Sequence, residues 1–171
     1  GLANSNGSGN DFVRTDRGDD IVFGGLGDDY IRTDRGTDIA VGGAGNDWIR
    51  ADRGRNLYIG GTGQDSIGRR ISDTILVAGT TSYDSDLSSL NAIRSEWSSD
   101  RDVGLRRANV ISGSGPFLTS QISLIEGERV FDDNVSDFIF RGFGGQSLLF
   151  VSNGLNADLY SRFADHELRI L

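Results

Sequence analysis

Aspartates recur at fixed intervals through the first half of this 171-residue chain. Counted in steps of nine residues from Asn6, an Asp or another polar residue falls at the sixth position of every step. Carboxylates stacked at strand spacing repel one another unless a cation lies between them, and Ca²⁺ takes six to eight oxygen ligands. The pattern therefore predicts calcium sites, with turn capping by Asp as the alternative. Alternate steps give two columns: Asp11, Asp29, Asp47 and Asp65 in one, and Asp20, Asp38, Asn56 and Thr74 in the other.

The residues between the aspartates predict the element that positions them. Six residues rich in Gly and Asp form a turn, and three residues such as Tyr30, Ile31 and Arg32 form a short strand. Two such half-turns close one coil, so residues i and i+18 stack about 4.8 Å apart, the usual strand spacing. We therefore predict an all-β-dominated fold, a parallel β-roll (β-helix or solenoid) with a small α-containing insertion and a C-terminal cap.

The half-turns GGLGDDYIR (24–32) and GGAGNDWIR (42–50) match the pattern G-G-x-G-x-D-x-U-x. This pattern resembles the RTX (repeats-in-toxin, haemolysin-type) calcium-binding family. The resemblance implies a Ca²⁺ cofactor held by aspartates and Gly-rich turns, calcium-driven folding, and export from a bacterial cell. The ligands expected on the edge with Gly-Gly turns are Asp11, Asp29, Asp47, Asp65, Gly7, Gly9, Gly25, Gly27, Gly43 and Gly45.

The other edge departs from the family pattern because its turns read TDRG or ADRG. Asp replaces Gly at the second position, and an Arg follows at the third. Two interpretations remain open: extra calcium ligands, or an Asp–Arg ladder that replaces calcium by ion pairing. We favour calcium binding near Asp20 and Asp38, and we expect it to weaken where Arg55, Asn56 and Thr74 break the pattern. The candidate ligands on this edge are Asp16, Asp20, Asp34, Asp38 and Asp52, and the neighbouring arginines are Arg17, Arg35 and Arg53.

The strand residues predict a core and two different outer faces. The eighth positions should point inward, and only Tyr58 among them is not a small or aliphatic residue. One outer face carries eight apolar side chains, too many to leave in water, so the C-terminal region or another molecule should cover it. The other face sets Phe12, Tyr30 and Trp48 beside Arg14, Arg32 and Arg50. These two columns either satisfy each other by stacking or dock an acidic glycan or a partner protein. The apolar face consists of Ile21, Phe23, Ile39, Val41, Leu57, Ile59, Ile75 and Val77.

The sequence after Val77 predicts an interruption of the roll. We divide the chain into a β-roll (1–77), an inserted helical and strand segment (78–131), and degenerate half-turns that resume and cap the roll (132–171). Two helices are expected in the insertion, the first with Leu87, Leu90, Ile93 and Trp97 along one stripe, and residues 117–131 alternate like strands. The region from residue 78 resembles a C-terminal module found after such repeats in large exported bacterial proteins.

The composition excludes several function classes. The chain has no Cys and one His, His166, so it offers no zinc–thiolate site, disulfide or catalytic triad, and we predict no enzyme activity. A net charge of −8 argues against nucleic acid as a partner. No apolar run approaches the length of about 18 residues that a membrane span needs.

These observations lead to one functional expectation and one alternative. The first is a secreted, calcium-stabilised structural module for adhesion, a surface layer or a fibre. It would self-associate as a homo-oligomer through strand edges or the apolar face. The alternative is the C-terminal calcium-binding and secretion module of a larger secreted enzyme of protease or lipase type.

Overall fold

The computed structural model describes residues 1–4, 7–69, 73–119, 122–125, 127–141, 147–151, 159–160 and 167–170. The repeat region forms short strands separated by turns. They are β1 (Leu2–Asn4), β2 (Phe12–Arg14), β3 (Ile21–Leu26), β4 (Tyr30–Arg35), β5 (Ile39–Ala44), β6 (Trp48–Arg53), β7 (Asn56–Thr62), β8 (Ser66–Arg69) and β9 (Thr74–Val77). The remaining elements are β10 (Thr80–Thr81), α1 (Leu87–Ser98), α2 (Val103–Ser112), β11 (Val130–Phe131), β12 (Phe138–Arg141), β13 (Leu148–Val151), β14 (Leu159–Tyr160) and β15 (Glu167–Ile170).

The strands form two sheets that together make the roll. Odd-numbered strands form a seven-stranded sheet in the order β1-β3-β5-β7-β9-β13-β15, and even-numbered strands form a six-stranded sheet in the order β14-β12-β8-β6-β4-β2. Pairing in both sheets is parallel with a register of eighteen residues, so Tyr30 lies opposite Trp48 and Ile39 opposite Leu57. The predicted parallel β-roll is confirmed.

The interior of the roll is narrow and filled by the eighth-position side chains. Val22, Ile31, Ile49 and Ile67 are fully buried in one cluster between the two sheets. Tyr58 also points inward, and its hydroxyl lies 2.8 Å from the Thr33 hydroxyl on the opposite sheet. Because a buried hydroxyl needs a hydrogen-bond partner, this contact allows a tyrosine to replace an aliphatic residue in the core.

The inserted segment covers the apolar outer face of the seven-stranded sheet. Ile39, Leu57 and Ile75 form a second buried cluster with Trp97 of α1 and Val110 of α2. Burial of apolar surface stabilises this contact by roughly 25 cal/mol per Å². The apolar face is therefore covered by helices of the same chain.

The roll resumes after the insertion. Strand β12 pairs with β8, with Ile139 opposite Ile67, and β13 pairs with β9, with Leu149 opposite Leu76. At the base of the insertion, β10 and β11 form a short antiparallel pair. Strands that are distant in sequence thus become neighbours in both sheets.

Two expectations about the insertion have different outcomes. Both helices form, and α1 begins after Asp86, whose side chain accepts hydrogen bonds from the backbone of Ser88 and Ser89. Among the described residues of 117–131, the predicted strand pattern is wrong except at Val130–Phe131. Leu118 and Leu124 lie outside strands, and their side chains still pack into the buried cluster. The alternating apolar residues therefore reflect burial of side chains and not a regular strand. His166 lies outside the described residues.

In the part of the chain that the structure describes, neither helix has the length and apolar character of a membrane span.

Candidate metal site

The first column of aspartates lies at the Gly-Gly edge, which we define as the turns 6–11, 24–29, 42–47 and 60–65. Asp29, Asp47 and Asp65 are 2%, 1% and 0% exposed, and Asp11 in the first turn is half-buried. One carboxylate oxygen, Oδ1, of each buried Asp accepts the backbone N–H of an Asp one coil earlier. The distances are 2.7 Å from Asp11 to Asp29, 2.8 Å from Asp29 to Asp47, and 2.8 Å from Asp47 to Asp65. The column therefore holds successive coils together.

The second carboxylate oxygen of the Gly-Gly column lies in a small oxygen-lined gap. Oδ2 of Asp29 and Oδ2 of Asp47 are buried, and no described residue donates a hydrogen bond to either atom. A Cβ placed on Gly42 would overlap both Asp47 Oδ2 and the carbonyl oxygen of Gly60. Gly24 has the same relation to Asp29 Oδ2 and the Gly42 carbonyl. We call each such gap, bounded by Asp Oδ2 and a first-position carbonyl, an oxygen cradle.

The other glycines of these turns bring the backbones of successive coils into contact. Gly43 and Gly45 have φ values of 116° and 136°, in the region that favours glycine. A Cβ on Gly43 would overlap the carbonyl of Gly25, and a Cβ on Gly45 would overlap that of Gly27. The first turn is looser: Gly7 and Gly9 are exposed. The Gly7 carbonyl accepts the N–H of Leu26 at 3.3 Å, and the Gly9 carbonyl lies next to Gly27.

Burial changes the protonation of this column. Desolvation raises the pKa of Asp47 to about 6 and raises the pKa of Asp29 above its ordinary value, while the hydrogen bond from the backbone of the previous coil opposes both shifts. The neighbouring carboxylates raise both pKa values further. A cation in the cradle would stabilise the ionised form and reverse this effect.

The composition of the cradles fits Ca²⁺ better than a transition metal. The polar atoms that line them are oxygens, which Ca²⁺ prefers. Among the described residues, no three His, Cys, Asp or Glu side chains form a metal-binding cluster. Each coil supplies one carboxylate to a cradle, so backbone carbonyls from the Gly-rich turns would supply most of the remaining ligands. Calcium there would replace the missing hydrogen-bond donors and cross-link the coils.

The second column lies at the opposite edge, the Asp-Arg edge, which we define as the turns 15–20, 33–38 and 51–56. The backbone N–H of Asp20 donates to Asp38 Oδ1 at 3.0 Å, and that of Asp38 donates to Asn56 Oδ1 at 2.7 Å. Burial raises the pKa of Asp38 to about 6. Both edges thus have a hydrogen-bonded column of the same kind.

The two edges differ at the first position of the turn. Where the Gly-Gly edge has Gly24 or Gly42, the Asp-Arg edge has Thr33, which is fully buried and whose hydroxyl contacts the Tyr58 hydroxyl. Asp38 Oδ2 is buried with no hydrogen-bond donor among the described residues, as Asp47 Oδ2 is. The Thr side chain occupies the position at which a glycine leaves a cradle. The calcium predicted near Asp20 and Asp38 stays a prediction, and the geometry favours it less than calcium on the Gly-Gly edge.

Two second-position aspartates of the Asp-Arg edge, Asp16 and Asp34, reach solvent. Asp34 accepts hydrogen bonds from Arg14 at 3.0 Å and from Arg32 at 3.1 Å. The Arg14 guanidinium is the main reason that the pKa of Asp34 lies below its usual range. At Asp34 the geometry favours ion pairing, but with Arg14 and Arg32 rather than with the neighbouring Arg35. Asp16 is exposed, and the side chain of Asp52 lies outside the described set.

One member of the Gly-Gly column is absent from the predicted ligands. The backbone N–H of Asp65 donates to Asp137 Oδ1 at 2.6 Å, so Asp137 extends the column across the insertion. Asp137 is 1% exposed and precedes Phe138, Ile139 and Phe140 as Asp29 precedes its own strand. The placement of Asp directly before three strand residues was the signal that could have identified it.

The aromatic column on the outer face of the six-stranded sheet is stacked. The rings of Phe12 and Tyr30 are parallel at 4.8 Å, and Tyr30 meets Trp48 edge to face at 5.0 Å. Phe12 is 73% exposed and Trp48 is 48% exposed. The rings therefore contact one another and still present apolar surface to solvent.

Fold and site together define a parallel β-roll with columns of buried aspartates at its turns. The sequence model of the RTX calcium-binding nonapeptide repeat (4 copies) matches residues 5–40 and 32–67. Residues 5–67 are therefore RTX calcium-binding nonapeptide repeats. Comparison with curated proteins and with solved structures gives no match.

Proposed function

We propose that this chain is a calcium-stabilised structural module that works outside the cell, in adhesion, a surface layer or a fibre. The observation that supports it most directly is the pair of buried Oδ2 atoms, Asp29 and Asp47, which have no hydrogen-bond donor among the described residues and face backbone carbonyls. Leaving such atoms unsatisfied costs about 1–3 kcal/mol each, more when charged. A bound Ca²⁺ would remove that cost.

Calcium would act on this module by mass action. An ion that binds only the folded roll stabilises it by RT ln(1 + [Ca²⁺]/Kd), about 4 kcal/mol when calcium exceeds Kd a thousandfold. Where calcium is scarce, the second oxygens of Asp29 and Asp47 would have neither cation nor donor, and the roll would be weakest. Because RTX repeats occur in exported bacterial proteins, the proposal places folding after export, where calcium is abundant.

Self-association remains part of the proposal in one form only. Strands β1 and β2 lie at one end of their sheets and β14 and β15 at the other, so head-to-tail stacking could extend both sheets. Edge strands with unpaired backbone groups are templates for such pairing. Light scattering of the calcium-loaded protein as a function of concentration would test it, and a monomer at all concentrations would contradict it.

The calcium dependence is tested by circular dichroism during titration. Protein in EGTA should show a weaker β signal and a lower Tm than calcium-loaded protein, and calcium should raise both, whereas Mg²⁺ at the same concentration should not. Calorimetric titration would count the ions. A roll that is equally folded and has the same Tm with EGTA and with calcium would disprove the proposal.

A further inference from the structure

The fifth positions of the turns on the Asp-Arg edge form a column of their own. Steps of eighteen residues from Asp19 lead to Thr37, Arg55 and Asp73. The backbone N–H of Thr37 donates to Asp19 Oδ1 at 2.8 Å, which joins two successive coils. Arg55 and Asp73 instead contact the inserted helices. This column is therefore where the roll and the insertion meet on this edge.

Arg55 lies against the C-terminal end of α1. Its Nη1 atom donates to the carbonyl oxygen of Ser98 at 3.0 Å and to that of Ser99 at 2.7 Å. The last carbonyls of a helix have no hydrogen-bond donor within the helix, and a positive charge beside them is favourable. Because α1 has no basic residue in its own last turn, the roll supplies this charge.

Asp73 joins Arg55 to the second helix of the insertion. Asp73 Oδ2 lies 3.8 Å from Arg55 Nε and 3.4 Å from Arg106 Nη2. Arg106 belongs to α2, is 3% exposed, and donates from Nη1 to the Trp97 carbonyl oxygen at 2.6 Å. Two arginines, one from the roll and one from the insertion, thus share a carboxylate and bind neighbouring carbonyls of α1. We call Arg55, Asp73 and Arg106 the latch.

A second attachment point lies one coil earlier. Arg94 of α1 donates from Nη1 to the carbonyl oxygen of Thr37 at 3.2 Å. Thr37 and Arg55 are equivalent residues of successive turns, so α1 contacts two coils of the same edge. The helix can make both contacts only when these two coils are stacked.

The stacking of these two turns depends on contacts next to Arg55 in the chain. Asn56 Oδ1 accepts the backbone N–H of Asp38 at 2.7 Å. On the other side of Arg55, a Cβ on Gly54 would overlap the carbonyl of Gly36. The backbone of Arg55 is therefore held by the preceding coil, and separation of the coils would remove its side chain from the end of α1.

We propose that the latch couples the helical insertion to the stacking of the roll: the insertion closes over the apolar face only while the turns 33–38 and 51–56 are stacked. In the closed state α1 and α2 cover Ile39, Leu57 and Ile75, and in the open state these side chains would face solvent. The inference rests on the proposed calcium function, because calcium bound to the roll would favour the stacked coils. Docking of the insertion should in turn raise the affinity of the roll for calcium, since coupling between two equilibria is reciprocal.

The latch also accounts for the break in the repeat at Arg55 and Asn56. Asn56 keeps the acceptor that the column needs and replaces a carboxylate by a neutral amide. Arg55 adds a guanidinium to the same turn, and its hydrogen bonds go to the insertion. The third turn of this edge thus carries a positive charge in a side chain and uses it to hold α1.

The test follows calcium binding and docking separately in the full chain. Trp48→Phe leaves Trp97 as the only tryptophan. Trp97 is fully buried among the residues that join the insertion to the sheet, so its emission reports docking, while titration calorimetry reports calcium binding. With the latch intact, both signals should change over the same range of calcium concentration.

Arg55→Gln should separate the two signals. Loss of the cation should weaken docking about tenfold, the lower end for hydrogen bonds to a charged group. The emission of Trp97 should then shift to longer wavelength at calcium concentrations that still load the roll, and calcium affinity should fall by at most the same factor. The matched control is Arg53→Gln, which removes an exposed arginine from the same turn and should change either quantity less than about twofold.

Asp73→Asn tests whether the shared carboxylate holds the two arginines. It should weaken docking about threefold, as for a partly exposed ion pair. Its effect should not add to that of Arg55→Gln, because the two residues act in one contact. Fully additive effects would contradict a latch built on a shared carboxylate.

The outcomes separate this inference from the calcium proposal. Equal docking in Arg55→Gln and Arg53→Gln would overturn the latch. A wild-type insertion that is docked equally in EGTA and in calcium would contradict the calcium proposal, and the urea midpoint of the Trp97 signal in the same two variants would then decide on the latch alone. If Arg55→Gln does not fold, Arg94→Gln at the second attachment point takes its place, and unchanged docking in that variant would contradict the proposal.

Discussion

Each edge of the roll has its own column of side chains that accept backbone N–H groups from the previous coil. The two edges differ in the residue that lies beside the second carboxylate oxygen of each Asp. On the Gly-Gly edge, the first residue of the turn is a glycine, and Asp47 Oδ2 faces a carbonyl across an open cradle. On the Asp-Arg edge, the buried Thr33 fills the corresponding position, and its hydroxyl contacts the Tyr58 hydroxyl. Both carboxylates keep an oxygen without a donor, so the difference lies in the first residue of the turn: a glycine leaves a cradle beside that oxygen, and a threonine places a side chain there.

The largest expected effect is the pH dependence of the calcium-free roll. Burial raises the pKa of both Asp38 and Asp47 to about 6. The folded state binds these protons more tightly than the unfolded chain, so their contribution is fully present below about pH 4 and is lost as pH rises through about 6, up to about 3 kcal/mol per group. Urea denaturation in EGTA between pH 4 and pH 8 would measure it.

Calcium should remove this dependence on one edge only. An ion bound at the Gly-Gly edge replaces the proton on Asp47, so the remaining loss of stability above pH 6 should come from Asp38 and disappear in Asp38→Asn. Stability of the calcium-free roll that rises with pH across this window would contradict the burial of these carboxylates.

The next largest expected effect is a loss of stability caused by steric overlap. Gly42→Ala should destabilise the roll by about 1–3 kcal/mol, the usual cost of overpacking, and should also reduce the rise in Tm produced by calcium. The new Cβ would overlap Asp47 Oδ2 and the Gly60 carbonyl. Thermal unfolding with and without calcium measures both quantities.

The matched control for this substitution is Thr33→Ala on the other edge. It removes the 2.8 Å contact with the Tyr58 hydroxyl and should cost about 1 kcal/mol, with the calcium response unchanged. A larger loss of calcium response in Thr33→Ala than in Gly42→Ala would reverse the assignment of the two edges.

The smallest expected effect is a change in calcium affinity when one carboxylate loses its charge. Asp47→Asn should raise the calcium concentration at half-folding about tenfold, equivalent to about 1.4 kcal/mol, whereas Asp38→Asn should change it less than about twofold. Asn keeps the Oδ1 acceptor, as Asn56 shows by accepting the Asp38 N–H at 2.7 Å. Calcium titrations followed by circular dichroism compare the two variants, and equal shifts would indicate calcium on both edges.

The periodic features of the fold could be predicted from the sequence, and the exceptions could not. A register of eighteen residues fixes which side chains stack, so the buried eighth positions and the Gly-Gly column follow from spacing alone. The partners of Asp34 could not be predicted. Arg14 and Arg35 both lie close to Asp34 in the stacked repeat, and only the direction of the side chains selects Arg14. Asp137 was missed because the insertion hides its place in the register.

The insertion also affects the order in which the roll can assemble. Coils of the repeat close loops of 18 residues, as between Asp29 and Asp47, whereas joining Asp65 to Asp137 closes one of 72. Two doublings of loop length add about 1.2 kcal/mol of closure entropy. The repeat coils can therefore form by local steps, and the last coils join only after the helices have docked on the apolar face and brought β12 to β8. Folding of this chain should have a direction, from the repeats toward the C-terminal strands, with docking of the insertion as its slow step.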